Sequence, residues 1–450
     1  MTFGKAVVTA LTALLVLTAA GPANAVSPPD VVVGPPPPDD PPGPEVPTVQ
    51  DKGCVAAGVL RDSDLSRVPP AELALDLDRA RALSRGAGVT VAVVDTGVSP
   101  NRRLPGLAGG GDYVTAGGDG LADCDAHGTL VAGIIGATSD PADGFTGVAP
   151  EARILSIRYR SGAFRLDGAQ QYDELQQRAM QIRAMARAIT HAANLGAGVI
   201  VVPLPVCVDV EKQVDQSMLA AAIGHAVHVR GALIVAGAGN AGSNGCQQNP
   251  GIDPSRTWDP RNWEHVKTIS VPGWYSPAVL TVGFTTAKGE ITDESLTGPW
   301  VSVSAPGTGI ESLGPGGGGL INGVGEPGKL VPVGGSSFAA AYVAGVAALL
   351  RSRFPNETPA EISARLQASA HEPARGIDNT VGAGMIDPLA ALSYRTPPKP
   401  PAGLFQPMEL ELPEPPRAKD NRPGVTAAVV IVAAVILGAG YTGAAIRRQR

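Results

Sequence analysis

Five short runs of β-branched and aliphatic residues punctuate the middle of the chain: Val89–Val94, Ile154–Ile157, Val199–Val202, Leu233–Ala236 and Val279–Val282. They are nearly continuous in hydrophobicity rather than alternating, the pattern of strands covered on both faces. Between and after them lie longer stretches rich in small apolar residues, near His127–Ala137, Met180–Leu195, Val214–Val229 and Ser337–Arg353, which read as helices. Strand and helix in alternation predict an α/β fold, a doubly wound parallel sheet with helices on both faces, in one large domain from 73 to 395. Chemistry in such a sheet gathers at the carboxyl ends of the strands.

The flanks break this pattern. Residues 1–25 carry one basic residue, Lys5, an apolar run from Ala6 to Ala20 and the small-x-small triplet Ala23-Asn24-Ala25, which together read as a secretory signal peptide. The arm 26–72 opens on a stretch to Gln50 dominated by proline, including Pro35-Pro36-Pro37-Pro38, with four acidic residues. That stretch predicts polyproline II, a stiff spacer or wrapping arm that cannot join a sheet. A second proline-rich, charged tether covers 396–424. Residues 425–446 then carry no charge, and as a helix they reach roughly 33 Å, the thickness of a bilayer. Arg447, Arg448 and Arg450 in the tail 447–450 place that end in the cytoplasm, with the catalytic domain on the other side of the cell membrane. The net charge of −6, without a basic stripe, gives no reason to expect nucleic acid as a partner.

Candidate chemistry falls at three element ends. Gly335-Ser336-Ser337 leads directly into an apolar helix, where unpaired N–H groups favour a developing negative charge, so Ser337 is the candidate nucleophile. Asp95 ends a buried strand and is followed by Thr96-Gly97. His127 opens a small-residue helix. The chain order Asp95, His127, Ser337 is one of the known orders for a Ser-His-Asp triad. Such a triad needs neither metal nor cofactor, and none is expected. Asp123 and Asp125 read as solvated turn residues. His225 and His228 read as an exposed helix face rather than half a metal site, and Gly314–Gly319, which lacks the Lys-Ser/Thr ending of a phosphate loop, as a flexible loop.

The blocks Val94-Asp95-Thr96-Gly97-Val98, His127-Gly128-Thr129-Leu130-Val131-Ala132-Gly133 and Gly335-Ser336-Ser337-Phe338-Ala339 resemble the three signature blocks of the subtilases, and Ala238-Gly239-Asn240 resembles the block carrying that family's oxyanion-hole asparagine. Gly147–Ala152, Val303–Gly307 and Gly382–Asp387 match minor blocks in order, so the resemblance spans roughly Leu73 to Leu392. It implies a serine endopeptidase acting on protein or peptide substrates, with Asn240 and the Ser337 N–H as oxyanion donors. Ser336 stands where many subtilases have threonine, and Ala341 where many have proline. Pro203-Leu204-Pro205 lies where the family's strand usually pairs with substrate backbone, and two prolines remove N–H donors there. The arm is short and proline-rich compared with the inhibitory propeptide that subtilases often carry.

Four cysteines, Cys54, Cys124, Cys207 and Cys246, lie in the part that would be exported, which argues for two disulfides with three pairings open. Cys54 with Cys124, three residues before His127, would pin the arm beside the site. Cys207 and Cys246 should share one face of the sheet. The whole layout looks like the mycosins, membrane-anchored subtilases associated with type VII secretion. That likeness implies a place in the secretion membrane complex, either as a processing protease or as a structural subunit whose catalysis is dispensable.

Overall fold

The computed structural model describes residues 26–394 except 36 and 375, residue 398, and the backbone of 422–447 with side chains from 427 to 439. The expected signal peptide and nearly all of the tether and tail lie outside the described residues. The C-terminal unit, 401–450, contains the helix Arg422–Arg447. Among the described residues no helix is long and apolar enough to cross a membrane.

Seven parallel strands form the central sheet of the main unit. They are β1 (Thr90–Asp95), β2 (Leu107–Asp112), β3 (Arg153–Arg158), β4 (Val199–Val202), β5 (Leu233–Gly237), β6 (Val279–Thr285) and β7 (Val301–Pro306), in the spatial order β7-β6-β5-β4-β1-β3-β2. All five expected strands lie in it. The other two are edge strands that sequence reading missed. β2 reads Leu-Ala-Gly-Gly-Gly-Asp, with too few side chains to announce a strand, and β7 alternates Val and Ser.

Alternation along each strand explains why the apolar runs are continuous. Val91, Val93, Val199, Val201, Leu233 and Val235 join one hydrophobic layer, while Ala92, Val94, Ile200, Val202, Ile234 and Ala236 join the other. The first layer receives α1 (His127–Gly136) and the long helix α4 (Ser336–Arg353). The second receives α2 (Glu174–Asn194) and α3 (Ser217–Gly224). Every residue of α4 from Ser336 to Leu350 is buried. A fully buried leucine is worth about 1.5–3 kcal/mol, so Leu349 and Leu350 alone fix the far end of α4 firmly. The helix stops at Phe354, which precedes Pro355 and is biased away from helical backbone. In α2 a capping box between Asp173 and Gln176 starts the helix six residues before the expected Met180. The single helix expected at Val214–Val229 is instead α3 followed by a wide helical turn, His225–Val229.

The N-terminal arm is a wrapping arm, and it does join sheets. Thr48–Gln50 pairs antiparallel with Phe164–Leu166, and Ala56–Gly58 pairs with Gly323–Gly325. The expectation that the stretch to Gln50 could not pair fails because the prolines end at Pro47, leaving Thr48, Val49 and Gln50 with their N–H donors. Upstream, polar contacts tie the arm to α2. Asp39 accepts from His191 and Asn194 at 2.8 and 2.9 Å, Glu45 pairs with Arg183 at 2.6 Å, and Arg187 donates to the Gly43 carbonyl at 2.9 Å. Cys54 is bonded to Cys124, and Cys207 to Cys246, which settles the pairings left open above.

Candidate active site

Three element ends meet at the carboxyl edge of the sheet. Asp95, the last residue of β1, is fully buried, and its Oδ1 accepts the Thr96 N–H at 2.6 Å. His127 is the first residue of α1, and its Nδ1 lies 2.8 and 3.0 Å from the two Asp95 oxygens. Its Nε2 lies 2.9 Å from Ser337 Oγ. The imidazole therefore bridges carboxylate and hydroxyl, with Phe338 against its ring at 5.1 Å between centroids. Gly128 allows this approach. A Cβ there would sit 2.0 Å from the Gly97 carbonyl oxygen, so α1 can start against the turn after Asp95 only with glycine next to the histidine.

The neighbouring hydroxyl is committed elsewhere. Ser336 Oγ accepts the Gly239 N–H at 3.0 Å, which leaves Ser337 alone facing the imidazole. Asn240, just beyond β5, accepts the Ser336 N–H on its Oδ1 at 3.0 Å. With the oxygen so occupied, its Nδ2 is the end available to an external acceptor. Gly335 has φ of 135°, and a Cβ there would meet Asn240 Nδ2 at 2.6 Å, so both its conformation and its neighbour require glycine. The Ser337 N–H, in the first turn of α4, has no acceptor within its own helix.

Burial pushes the His127 imidazole down, but the adjoining Asp95 carboxylate outweighs it and holds the ring above its ordinary value, with Asp123 adding in the same direction and Arg160 opposing. Asp123 corrects the reading of a solvated turn residue. Its carboxylate accepts Thr129 N–H at 2.9 Å, Thr129 Oγ1 at 2.6 Å, Thr96 Oγ1 at 2.9 Å and Asp125 N–H at 3.1 Å. Burial raises its pKa to about 6. Asp125 also has partners, accepting Ser161 Oγ and the Gly162 N–H. The signal was present in the sequence: Ala126 before the helix offers no capping oxygen, so a carboxylate a few residues upstream is the natural substitute. His225 is a second correction, buried with Nε2 2.8 Å from Asn194 Oδ1 instead of lying on an exposed face. His228 is exposed.

The Pro203-Leu204-Pro205 segment follows β4. The chain bends there before pairing again as Val206–Asp209 with Thr268–Val271. Neither proline has an N–H, and the Leu204 carbonyl accepts the Tyr159 hydroxyl. Among the described residues no cluster of His, Cys, Asp and Glu could hold a metal ion.

A parallel α/β sheet presenting Asp, His and Ser in this order and geometry defines a subtilisin-like serine protease, and the model of the Subtilase family matches residues 86–384. Mycosin-1 of Mycolicibacterium smegmatis is 45% identical over 447 residues, spanning 99% of this chain and 98% of its own length. The crystal structure of MycP1 from Mycobacterium smegmatis superposes with a TM-score of 0.79 at 47% identity, over 83% of this chain and 96% of that one. A chain in the structure of an intact ESX-5 inner membrane complex also gives a TM-score of 0.79, at 43% identity, over 93% of this chain and 100% of its own. The chain belongs to the mycosins, a branch of the subtilase serine proteases.

Proposed function

We propose that the chain is a membrane-anchored, extracytoplasmic serine endopeptidase that processes proteins linked to type VII secretion. Asp95, His127 and Ser337 are its catalytic residues and Asn240 its oxyanion donor. The observation that carries this reading is the unbroken relay from Asp95 through His127 to Ser337 Oγ, beside an amide whose nitrogen is the free end.

His127 takes the Ser337 proton as Oγ attacks the peptide carbonyl, then gives it to the leaving amine. Asp95 fixes the tautomer and stabilises the imidazolium. The oxyanion is met by Asn240 Nδ2 and the Ser337 N–H at the positive end of α4. Hydrolysis of the acyl-enzyme repeats the proton transfers with water in place of the amine. The parts of the chain are the signal peptide 1–25, the arm 26–72, the protease domain 73–395, the tether 396–424, the span 425–446 and the cytoplasmic tail 447–450. Likeness to a chain of the ESX-5 inner membrane complex supports membership of a comparable secretion complex.

A second reading, a structural subunit of that complex with dispensable catalysis, is favoured by Pro203 and Pro205, which withhold N–H donors from a substrate strand, and by the Leu204 carbonyl already bonded to Tyr159. Fluorophosphonate labelling of the full chain in membranes, beside Ser337→Ala, separates the two. Labelling that disappears in the variant supports the protease. An unlabelled, folded wild type overturns it.

A further inference from the structure

Two segments must hold still relative to one another for the relay to work: the turn after β1, which carries Asp95, and the start of α1, which carries His127. Besides the Asp95–His127 bond itself, the side chains of Thr96 and Asp123 join them. Asp123 Oδ1 accepts the Thr96 hydroxyl, and Thr96 Oγ1 in turn accepts the Gly128 N–H at 3.0 Å. The other oxygen, Oδ2, accepts both the N–H and the hydroxyl of Thr129. Thr96 adjoins Asp95, and Gly128 adjoins His127, so the carboxylate ties the neighbours of both triad members into one network. The next residue, Cys124, is bonded to Cys54 of the arm, and its carbonyl accepts the Val55 N–H at 2.9 Å. The loop bearing Asp123 is thereby fixed from the outside as well.

We infer that Asp123 is a positioning residue that holds the Asp95–His127 pair in its reactive register through Thr96 and Thr129. The inference rests on the triad reading given above. Asp123 touches no reacting atom; it acts through the hydroxyls and N–H groups it accepts. Those bonds are strongest when the carboxylate is ionised, because charge-assisted acceptors bind donors about twice as well as neutral ones. The charged groups facing this network are Asp95 at the end of β1, His127 at the start of α1, Arg160 beyond β3, and Asp125 on the same loop. Asp123, which burial raises to about 6, and His127, which Asp95 holds above its usual value, both take up protons as pH falls. Full activity requires both to be deprotonated, so two protons switch the site off as pH falls.

The test is the second-order rate of fluorophosphonate labelling of the full chain in membranes, followed from pH 5 to 9. Asp123→Asn keeps the shape and removes the charge, and Asp123→Glu keeps the charge. The Asn variant should label roughly 10- to 100-fold more slowly at pH 8, the size of effect that a small misplacement of reacting groups produces. Its acid limb should shift to lower pH, because His127 loses a neighbouring negative charge, and should flatten from more than one proton to one. Asp123→Glu should recover part of the rate. A residue that only stabilises the fold would lower the amount of labelled protein without moving the limb. Should Asp123→Asn fail to accumulate, Thr129→Ser against Thr129→Val asks the same question, since only serine keeps the hydroxyl that Asp123 accepts. Equal rates in that pair, or an Asp123→Asn profile superimposable on wild type, overturn the inference while leaving the triad standing. Absence of labelling in the wild type overturns the triad reading and the inference with it.

Discussion

Asn240→Ala is the substitution that best separates transition-state stabilisation from the rest of the site. In the resting protein Asn240 makes its side-chain bond through Oδ1, from the Ser336 N–H at 3.0 Å, and presents Nδ2 beside Gly335. Losing the residue leaves Asp95, His127 and Ser337 with their mutual distances of 2.8 and 2.9 Å, because none of them touches the amide. What is lost is one preorganised donor to an oxygen that becomes charged only during reaction, worth about 3–4 kcal/mol, or roughly a 100- to 1,000-fold rate. A separate cost arises at Ser336, whose buried N–H loses its acceptor; it is about 1–3 kcal/mol and falls on stability rather than rate. The assay is the labelling rate with a fluorophosphonate, whose tetrahedral adduct directs an oxygen to the same position, run beside Gly335→Ala. A Cβ at Gly335 would press on Nδ2 at 2.6 Å in a backbone conformation of φ 135°, so this second variant should lose a comparable rate with Asn240 still present. Labelling of Asn240→Ala within threefold of wild type would refute the assignment of Asn240 as a donor.

Two further predictions concern stability. Arg365 is wholly buried, bonded to Glu357 through Nε at 2.6 Å, and stacked over Phe354 at 3.8 Å. Glu357→Gln strands its charge and should cost about 3–5 kcal/mol in urea unfolding, whereas joining it to Arg365→Met should restore most of the loss. If the single variant unfolds like wild type, the pair is not the anchor of this corner. The Cys54–Cys124 bond closes a sequence separation of 70 residues, and by loop entropy alone replacing both by serine should cost about 4 kcal/mol. The arm should also become the first target of limited proteolysis; an arm that resists protease as well as in wild type would show that its pairings and ion pairs suffice.

Much of this protein was legible in its amino-acid order. Val89–Val94 and its four counterparts announced buried strands because each is apolar on both faces. The three chemistry-bearing residues sat at element ends, where glycine turns and helix starts mark themselves. The edge strands were harder to see. Leu107–Asp112 owes its place to pairing with Arg153–Arg158 rather than to any propensity of three successive glycines. His225 was misread because a polar residue on a helix looks solvated until the elements packed over it are known, and Asp123 because its capping role shows only through the missing oxygen at Ala126.

The sequence by itself determined the alternation of strand and helix, the order of Asp95, His127 and Ser337, and the presence of an even set of cysteines. These are local properties, written in periodicity and in residue type. Only the tertiary structure decided where the Ser336 hydroxyl is committed, which end of Asn240 is free, which cysteines are joined, and that Asp123 bonds beside both Asp95 and His127. Each of these depends on a direction in space between segments far apart in the chain. Ser336 and Ser337 differ by a single step along a helix, and that step turns one hydroxyl to the Gly239 N–H and the other to His127.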